Sequence, residues 1–294
     1  MQPMKRCAYL VMDDPGDFVT DYHLSFDAMA EQGWRVECVS WRDPGHDWGQ
    51  YDAVYICTPW DYPDDPQLFI TTLEAIEQST AKLINPMSLV RWSLAKTYLR
   101  DLAERGGAVV PSLWIGEFDA AQVQGWFDRL GAAKVIIKPE IGTNSQHQFV
   151  LSNPVRGDTL DELREVYRDR PFFVQPFINN VQREGEYSLF FFGGEYSHAI
   201  LKIPRQGDFR SQEEHGAEIV PIDATPEQVA AAERLLSLVD PQPAYVRVDL
   251  VRDDSDNYLL MELELIEPSL YLRMDAGSAS RFARAFDQAA SHGV

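Results

Sequence analysis

The sequence predicts a parallel α/β domain at the amino end and an α+β region after it. In the first 85 residues short apolar strands alternate with helices, the order that is typical of a parallel sheet. Farther along, a Gly193-Gly194 pair and an Asp-rich run at 253–257 each separate two strand-like segments, which indicates antiparallel hairpins. In the first domain, the predicted strands are 6–12, 34–41, 53–57 and 82–84, and the predicted helices are 22–32 and 66–78.

The break at Asn85-Pro86 ends this first unit, and we expect three units in all. They are an N-terminal substrate-side domain at 1–85, a central subdomain at 86–175 and a C-terminal subdomain at 176–294. The other predicted helices are 88–105, 120–130, 226–239 and 278–290, and the other predicted strands are 108–110, 134–139, 172–178, 186–192, 195–203, 245–251 and 258–266.

The charge of the chain limits its partners. Among 294 residues, 46 acidic and 26 basic side chains give a net charge of −20. Binding nucleic acid or an anionic membrane over a broad surface needs an excess of Lys and Arg, so neither partner is expected. No stretch approaches the ~20 apolar residues of a membrane span. The cysteines Cys7, Cys38 and Cys57 form no CxxC motif, which favours a reducing, cytoplasmic compartment over a disulfide or zinc framework.

The second hairpin carries four charged side chains at alternating positions. One strand contains Arg247 and Asp249, and the other contains Glu262 and Glu264. Because alternate residues of a strand share a face, and because the turn is centred between residues 249 and 262, we expect Asp249 to pair with Glu262 and Arg247 with Glu264. All four then project to one side. The aliphatic residues expected on the other side are Val248, Leu250, Met261, Leu263 and Leu265.

This charged face has two interpretations. In the first, it is a ladder of ion pairs facing solvent, which is the usual outcome for such a hairpin. In the second, a divalent cation relieves the repulsion among three carboxylates that one guanidinium cannot neutralise. Mg²⁺ prefers a few carboxylates together with phosphate oxygens, so the second interpretation also implies a nucleoside triphosphate.

Candidate phosphate-binding groups are basic residues outside that hairpin. The chain has neither a GxxxxGK[ST] nor a GxGxxG motif, so no P-loop or Rossmann site is predicted. Lys138 ends an aliphatic strand and precedes a small polar loop at 142–146, of the kind needed for a lid over phosphates. Lys202, Arg205 and Arg210 are further candidates. Taken singly, each of these residues is also typical of a solvated surface charge.

Two other segments are candidate ligand contacts. The apolar strand at 172–178 could present its backbone to an adenine edge, with Gln175 binding the exocyclic amine; on either interpretation it is a core strand. The run 58–63 follows the third strand, where open sheets place ligand-contacting loops, and Asp61 could bind a substrate amine there. The alternative for this run is an ordinary Pro-rich turn packed by aromatic side chains.

In combination, these pieces resemble the ATP-grasp superfamily, of the glutathione-synthetase and D-alanine–D-alanine-ligase type. The resemblance covers roughly residues 85–275 and rests on their order. The order along the chain is a helix lysine, a strand-end Lys-Pro with a polar loop, and an apolar hinge strand. These are followed by a Gly-x-acid hairpin, a distal basic residue, an FR-containing loop and the RxD…ExE hairpin. It implies an ATP-grasp architecture, in which an N-terminal parallel α/β domain precedes two subdomains that clasp ATP.

The resemblance also implies a role for individual residues. Arg247, Lys202 and Arg210 would act in catalysis, with Arg247 stabilising the acyl transition state, and Asp249, Glu262 and Glu264 would bind magnesium. The implied ATP contacts are Lys96 and Lys138 for phosphates, Gly142 and Ser145 in the lid, Gln175, Phe177 and Ile178 at adenine, and Glu186 at the ribose. The implied substrate contacts are Asp61, His215 and Ser269.

One part of this assignment depends on a turn. A two-residue turn at Gly193-Gly194 would put Glu186 and Lys202 on opposite faces of the first hairpin, and a three-residue turn would put them on the same face.

The activity that the resemblance implies is an ATP- and Mg²⁺-dependent carboxylate–amine ligase, with Mn²⁺ as an alternative metal. It would join small amino-acid-like substrates through an acylphosphate. The phrases WDY, GDFR and IEPSLYL resemble a narrower branch that includes the cyclo-ligase closing O-ureido-D-serine to D-cycloserine. The alternatives are therefore an intramolecular cyclo-ligase, a kinase that releases its phosphorylated product, and a nucleotide-binding protein without ligase chemistry. Dimers are common among relatives, so a homodimer is one alternative for the oligomeric state, which the sequence leaves open.

Overall fold

The computed structural model describes residues 4–43, 45–142 and 145–291. Its strands are Lys5–Val11 (β1), Trp34–Ser40 (β2), Ala53–Thr58 (β3), Lys82–Ile84 (β4), Leu113–Ile115 (β5), Lys134–Pro139 (β6), Phe149–Ser152 (β7), Phe172–Pro176 (β8), Glu186–Phe192 (β9), Glu195–Ile203 (β10), Glu218–Ile222 (β11), Tyr245–Arg252 (β12) and Tyr258–Glu264 (β13). Its α-helices are Phe26–Glu31 (α1), Pro66–Gln78 (α2), Met87–Ser93 (α3), Tyr98–Glu104 (α4), Val123–Leu130 (α5), Gly157–Val166 (α6), Asn180–Arg183 (α7), Pro226–Leu236 (α8) and Ser278–Ser291 (α9).

The N-terminal sheet is parallel throughout, in the order β2-β1-β3-β4. This confirms the strand–helix alternation expected in the first 85 residues. The predicted helix at 22–32 is shorter than expected, because its first turn, Tyr22–Ser25, is a 3₁₀ helix. Strand β3 is buried along its whole length, which is usual for a central parallel strand with both faces covered.

The middle of the chain forms an antiparallel sheet in the order β5-β8-β6-β7. Two predictions for this region are wrong. The helix expected at 88–105 is two helices, α3 and α4, and Lys96 lies between them, where its backbone N–H donates to the carbonyl of Glu140 (2.7 Å). The strand expected at 108–110 is a single bridge from Val109 to Leu260, and the edge strand is β5 instead.

The third sheet has the order β11-β10-β9-β12-β13 and contains both predicted hairpins. The Gly193-Gly194 turn has two residues, since Phe192 pairs with Glu195. A bulge at Ser197 then shifts the register, so that Lys202 pairs with Glu186 and both side chains share a face. Strand β11, which pairs with β10, was not expected from the sequence.

A continuous aromatic core joins the N-terminal sheet to the third sheet. The ring of Tyr55 on β3 packs edge-on against that of Tyr245 on β12, with centroids 4.9 Å apart, and also contacts Phe282 of α9. The middle sheet has a separate core, built around Trp126 and Phe172. In the part of the chain described above, no helix combines the length and apolar character needed to cross a membrane.

Candidate active site

The hairpin of β12 and β13 has the register predicted from its sequence. Asp249 pairs with Glu262 and Arg247 with Glu264, so the four charged side chains occupy one face. Their neighbours on the other face are buried in the core, with one exception. A bulge after Asp249 pairs Leu250 with Leu260 and turns Met261 away from that core, toward Ile178 and the wall of a cavity. The prediction for Met261 is therefore wrong.

Asp249 is the most enclosed acid of this face, with 2% of its surface exposed. Its carboxylate accepts hydrogen bonds from Ser188 Oγ and from Arg247, whose Nε lies 2.9 Å from Oδ1. Lys202 Nζ is 3.4 Å from Oδ2. The second guanidinium nitrogen, Nη2, also donates to Glu264. Arg247 is thus held between two carboxylates, and Asp249 between two cations.

Lys96 and Lys202 each reach an acid from another part of the chain. Lys96 Nζ pairs with Glu262 (2.7 Å) and donates to the carbonyl of Gly142 (2.9 Å), which links the α3–α4 break to the polar loop after β6. Lys202 Nζ pairs with Glu186 (2.9 Å) as well as with Asp249. The other oxygen of Glu186 accepts from Ser211 Oγ (3.0 Å), so both oxygens of the acid expected at the ribose already have partners.

Burial and cation placement give these acids different pKa values. Burial opposes ionisation of Asp249, but Arg247 and Lys202 outweigh it and hold its pKa below the usual range. In the same way, Lys96 outweighs the effect of burial at Glu262 and lowers the pKa of that carboxyl group. At Glu264, burial outweighs the attraction of Arg247 and raises the pKa to about 7. At Glu267, burial and then the charge of Glu264 raise the pKa to about 8.

The charged face opens into a cavity of about 130 Å³. Seven carboxylates and three cationic side chains line it, so it carries a large excess of negative charge. The cationic residues are Lys96, Lys202 and Arg247, and the acidic residues are Glu186, Glu213, Glu214, Asp249, Glu262, Glu264 and Glu267.

A second cavity of about 60 Å³ adjoins the first. Ser145, Glu186, Gln212 and Glu262 line both, which makes the two cavities one cleft. The second contains the predicted adenine contacts, and Gln175 donates from its amide to Ser112 Oγ (3.0 Å) at the cavity wall. The predicted nucleotide contacts that line it are Lys138, Ser145, Gln175, Phe177, Ile178 and Glu186.

Lys138 is buried and has no charged partner. It forms no hydrogen bond or ion pair with any residue described here, and burial lowers the pKa of its ammonium group. A buried cation without a counter-ion favours an anion in the adjacent space. Ser145, across the same cavity, donates to Gln212 Oε1 (3.1 Å). Of the predicted lid, residues 143 and 144 lie outside the described part of the chain.

Three predicted site residues are not among those that line either cavity. Asp61 accepts from Trp41 Nε1 (2.7 Å) and Arg42 Nε (2.8 Å), so it fits the alternative of a packed turn, although its neighbours Trp60 and Tyr62 line the first cavity. Arg210 pairs with Asp208 (2.7 Å) within its own loop. His215 ends a 3₁₀ turn in that loop. Ser269 does line the cavity, and its carbonyl accepts from Arg247 Nη1 (3.3 Å).

The predicted magnesium ligands do not form a ready-made three-carboxylate group. No three acidic, His or Cys side chains among the residues described here are arranged as metal ligands. Lys96, Lys202 and Arg247 form ion pairs with these acids instead. The donor chemistry nevertheless suits Mg²⁺, because carboxylate oxygens predominate: seven acidic side chains line the first cavity, against three basic ones.

The sequence did not single out four residues that the structure brings to this site. Ser188 and Ser211 fix Asp249 and Glu186, and nothing in their local sequence distinguishes them from other serines. Tyr271 lines the cavity with a left-handed backbone (φ 47°), which is rare for a bulky residue. Glu267 was detectable, since it is the next acid after Glu262 and Glu264 in one short segment.

Comparison with known proteins places this geometry in a family. Residues 7–85 match the family model described as D-cycloserine synthetase DcsG, N-terminal domain. The cycloserine biosynthesis protein DcsG of Streptomyces lavendulae is 32% identical over 289 residues, covering 90% of this chain and 93% of that protein. The chain belongs to the ATP-grasp ligases. It falls in the branch that contains DcsG, as the WDY, GDFR and IEPSLYL phrases implied.

Two further comparisons agree with that assignment. The crystal structure of D-cycloserine synthetase DcsG superposes on this ligase with a TM-score of 0.85 and 29% identity, covering 97% of this chain and 99% of that one. Glutathione synthetase of Prochlorococcus marinus subsp. pastoris is 26% identical over 257 residues, covering 85% of this chain and 79% of that protein. The predicted ATP-grasp architecture and the ligase class of the enzyme are therefore confirmed.

Proposed function

We propose that this ligase uses ATP and Mg²⁺ to activate the carboxylate of a small amino-acid-like substrate as an acylphosphate, and then joins it to a nitrogen of the same molecule. The observation that carries the proposal is the cleft in which the Arg247/Asp249/Glu262/Glu264 face adjoins a second cavity, lined by Lys138, which has no ionic partner among the described residues. Ring closure is favoured over joining two molecules because the family model and the more similar relative are both named for D-cycloserine.

The two halves of the cleft suit the two ends of ATP. The cavity of Gln175, Phe177 and Ile178 would hold adenine, while Lys138, which lines the same cavity and has no ionic partner among the described residues, would contact the phosphates. Lys96 and Lys202 flank the acids of the first cavity and would contact the phosphates from there. In the complex with ATP, the phosphate oxygens would take the place of the carboxylates as ionic partners of Lys96 and Lys202.

Glu262 and Glu264 are the residues that would hold Mg²⁺, together with phosphate oxygens and Asp249 behind them. When bound, the ion supplies charge neutralisation on the transferred phosphoryl group, and Mn²⁺ could serve in its place. Arg247 is held by Asp249 and by the carbonyl of Ser269. From there it would stabilise negative charge on the oxygens of the substrate carboxyl group that reacts. Closure of the 142–146 loop would keep water from the acylphosphate.

The test is a screen for ADP release with mass spectrometry of the products. Purified enzyme receives Mg²⁺-ATP with O-ureido-D-serine, its L-enantiomer, or single and paired small amino acids. Ring closure predicts ADP and phosphate from one substrate alone, with a product of lower mass. ADP release without phosphate release, and a phosphorylated product, would identify a kinase instead. No ADP with any substrate would leave the nucleotide-binding alternative.

A second candidate function is an amide ligase that joins two separate molecules. The similarity to glutathione synthetase over most of the chain favours it. In the same screen, this function predicts ADP release only when a second amino acid is present, with a product that contains both. Small-molecule substrates, a homodimer and a cytoplasmic location all stay predictions, the last two for sedimentation and fractionation to test.

A further inference from the structure

Glu267 lies on the wall of the first cavity, three residues after Glu264 and just beyond the end of β13. Its backbone is anchored, because its carbonyl accepts from the indole Nε1 of Trp60 (2.9 Å) in the N-terminal domain. Pro268 follows and restricts the chain at this point. The carboxyl group therefore starts from a fixed backbone position where the substrate-side domain meets the charged hairpin.

The carboxylate of Glu267 differs from its neighbours in having no cation. Glu186, Glu213, Asp249, Glu262 and Glu264 each form an ion pair with a lysine or arginine. Glu267 forms none with the residues described here. The remaining acid of the cavity, Glu214, is exposed to solvent. Glu267 is thus the one half-buried acid of the described cavity wall that lacks a cationic partner.

The surroundings of Glu267 favour a positively charged organic group. Burial, and the negative charge of Glu264 next, raise the pKa of Glu267 to about 8, so a cation bound beside it would favour its ionised form. Phe18, Trp60 and Tyr62 line the same cavity from the N-terminal domain. Aromatic rings attract ammonium groups, whereas hydrated Mg²⁺ prefers oxygen ligands and phosphates. An ammonium group fits this combination of one carboxylate and an aromatic wall.

We infer that Glu267 binds the α-ammonium group of the substrate and so selects amino acids over carboxylic acids that lack the amine. This inference rests on the proposed function, since it names a contact for the substrate of the same reaction. The ammonium would be held by the Glu267 carboxylate while the substrate's own carboxylate lies toward Arg247, where it is activated. Glu267 would determine specificity and position the substrate, and it would take no part in the bonds that form and break.

The decisive variant is Glu267→Gln, which keeps the shape of the side chain and removes its charge. ADP release is measured at saturating Mg²⁺-ATP with varied amounts of the substrate found in the screen, or of its analogue in which hydrogen replaces the α-amine, and then at varied Mg²⁺-ATP with the substrate saturating. In Glu267→Gln we expect the KM for the amino acid to rise by about tenfold or more, while the KM for ATP changes less than about twofold. The preference for the amino acid over the analogue should fall by a similar factor. Glu218→Gln, which removes an exposed acid outside the cavity, is the matched control.

Two results would overturn the inference in an active enzyme. One is an unchanged KM for the amino acid and an unchanged preference in Glu267→Gln. The other is an equal rise in the KM for ATP, which would assign Glu267 to the metal or nucleotide. If Glu267→Gln does not fold, Glu267→Asp gives the answer, because it keeps the charge and should retain the preference. A wild-type enzyme that releases no ADP with any amino acid would instead contradict the proposed function itself.

Discussion

Burial and the placement of cations separate the acids of the active site into two groups. Asp249 and Glu262 each face a lysine or arginine that outweighs burial, so their ionised form is favoured. Glu264 and Glu267 have raised pKa values because burial outweighs their attraction to cations. The first pair therefore orders the basic residues, and the second pair is partly protonated near neutral pH until a bound cation favours its ionised form.

Replacing Glu264 tests this division directly. We expect Glu264→Ala to keep the fold, since Arg247 retains Asp249 as a partner, and to lose turnover with Mg²⁺-ATP by about 10²-fold or more because a metal-binding carboxylate is removed. ADP release and thermal unfolding are measured side by side. Glu195→Ala, at an exposed position of the first hairpin, is the control. ADP release at the wild-type rate in Glu264→Ala would remove Glu264 from the predicted metal site.

Replacing Lys138 tests the nucleotide half of the cleft. Lys138→Met keeps much of the volume and removes a buried charge without a described partner, so stability should be unchanged or higher. Affinity for ATP should fall by about tenfold, or about 1.4 kcal/mol, because a phosphate contact is lost. Isothermal calorimetry measures the affinity. Equal ATP affinity in the two proteins would argue against a phosphate contact at this lysine.

For individual residues, the alternation of side chains along the strands was enough to predict the charged face of the second hairpin. Arg247, Asp249, Glu262 and Glu264 follow from the period of 2 and the centre of the turn. Asp61 and Arg210 were different, because each is a charged residue in a loop whose partner depends on the fold. Trp41 and Arg42 satisfy Asp61, and Asp208 satisfies Arg210, which no pattern in the sequence indicates.

Among the secondary-structure elements, the bulge at Ser197 decides whether the first hairpin serves the site. The two-residue turn alone would put Glu186 and Lys202 on opposite faces, and the extra residue brings them together at 2.9 Å. Glycines predict a turn, but Tyr196, Ser197 and His198 carry no signal for a bulge. The sequence could therefore predict the hairpin and both residues, and could not predict that they would meet.

Removing the bulge gives a test of this element. Deletion of Ser197 should restore the unshifted register, turn Lys202 away from Glu186 and reduce ATP affinity by about tenfold or more. Ser197→Ala keeps the bulge and loses only the hydroxyl contacts to His198 and Arg281, so it should bind ATP nearly as wild type. Calorimetry on both proteins, with circular dichroism to confirm folding, provides the comparison. ATP affinity that survives in a folded deletion variant would contradict the role of the bulge.

The break between α3 and α4 is a second feature that the sequence did not reveal. Residues 94–97 contain neither Pro nor Gly, so local propensity favours one continuous helix. Contacts from distant parts of the chain override that preference. The backbone of Lys96 donates to Glu140, and its side chain binds Glu262 and the carbonyl of Gly142. The helix is therefore interrupted where Lys96 contacts two other segments, the loop after β6 and strand β13.

For the whole molecule, the raised pKa values predict how stability depends on pH. Between pH 6.5 and 8, Glu264 and Glu267 still hold part of their protons in the folded protein, with pKa values of about 7 and 8, whereas in the unfolded chain they are ionised. The folded state then binds more protons than the unfolded state, so raising the pH lowers the free energy of unfolding, by at most about 1.4 kcal/mol per pH unit for each carboxyl group. His198 has the opposite effect, but only below pH 6.5, because burial lowers its pKa to about 4.

Chemical denaturation of the metal- and nucleotide-free enzyme at pH 6.5, 7.2 and 8 measures this dependence. We expect stability to fall across the series and the slope to be shallower in Glu267→Gln, which cannot ionise at that position. An exposed-acid variant such as Glu218→Gln should keep the wild-type slope. Stability that rises with pH in this window would show that the two carboxyl groups are already ionised at pH 6.5.

The aromatic contact between β3 and β12 has a consequence for how this branch of ligases can diversify. Tyr55 lies against Tyr245 and Phe282, so the N-terminal domain and the sheet that carries Arg247 share one core. Transplanting another N-terminal domain would leave those rings without their partners and lower the stability of both parts. We therefore expect enzymes of this branch to change substrate by substitutions of the side chains around Trp60 and Glu267, while the shared core of the N-terminal domain and the third sheet is conserved.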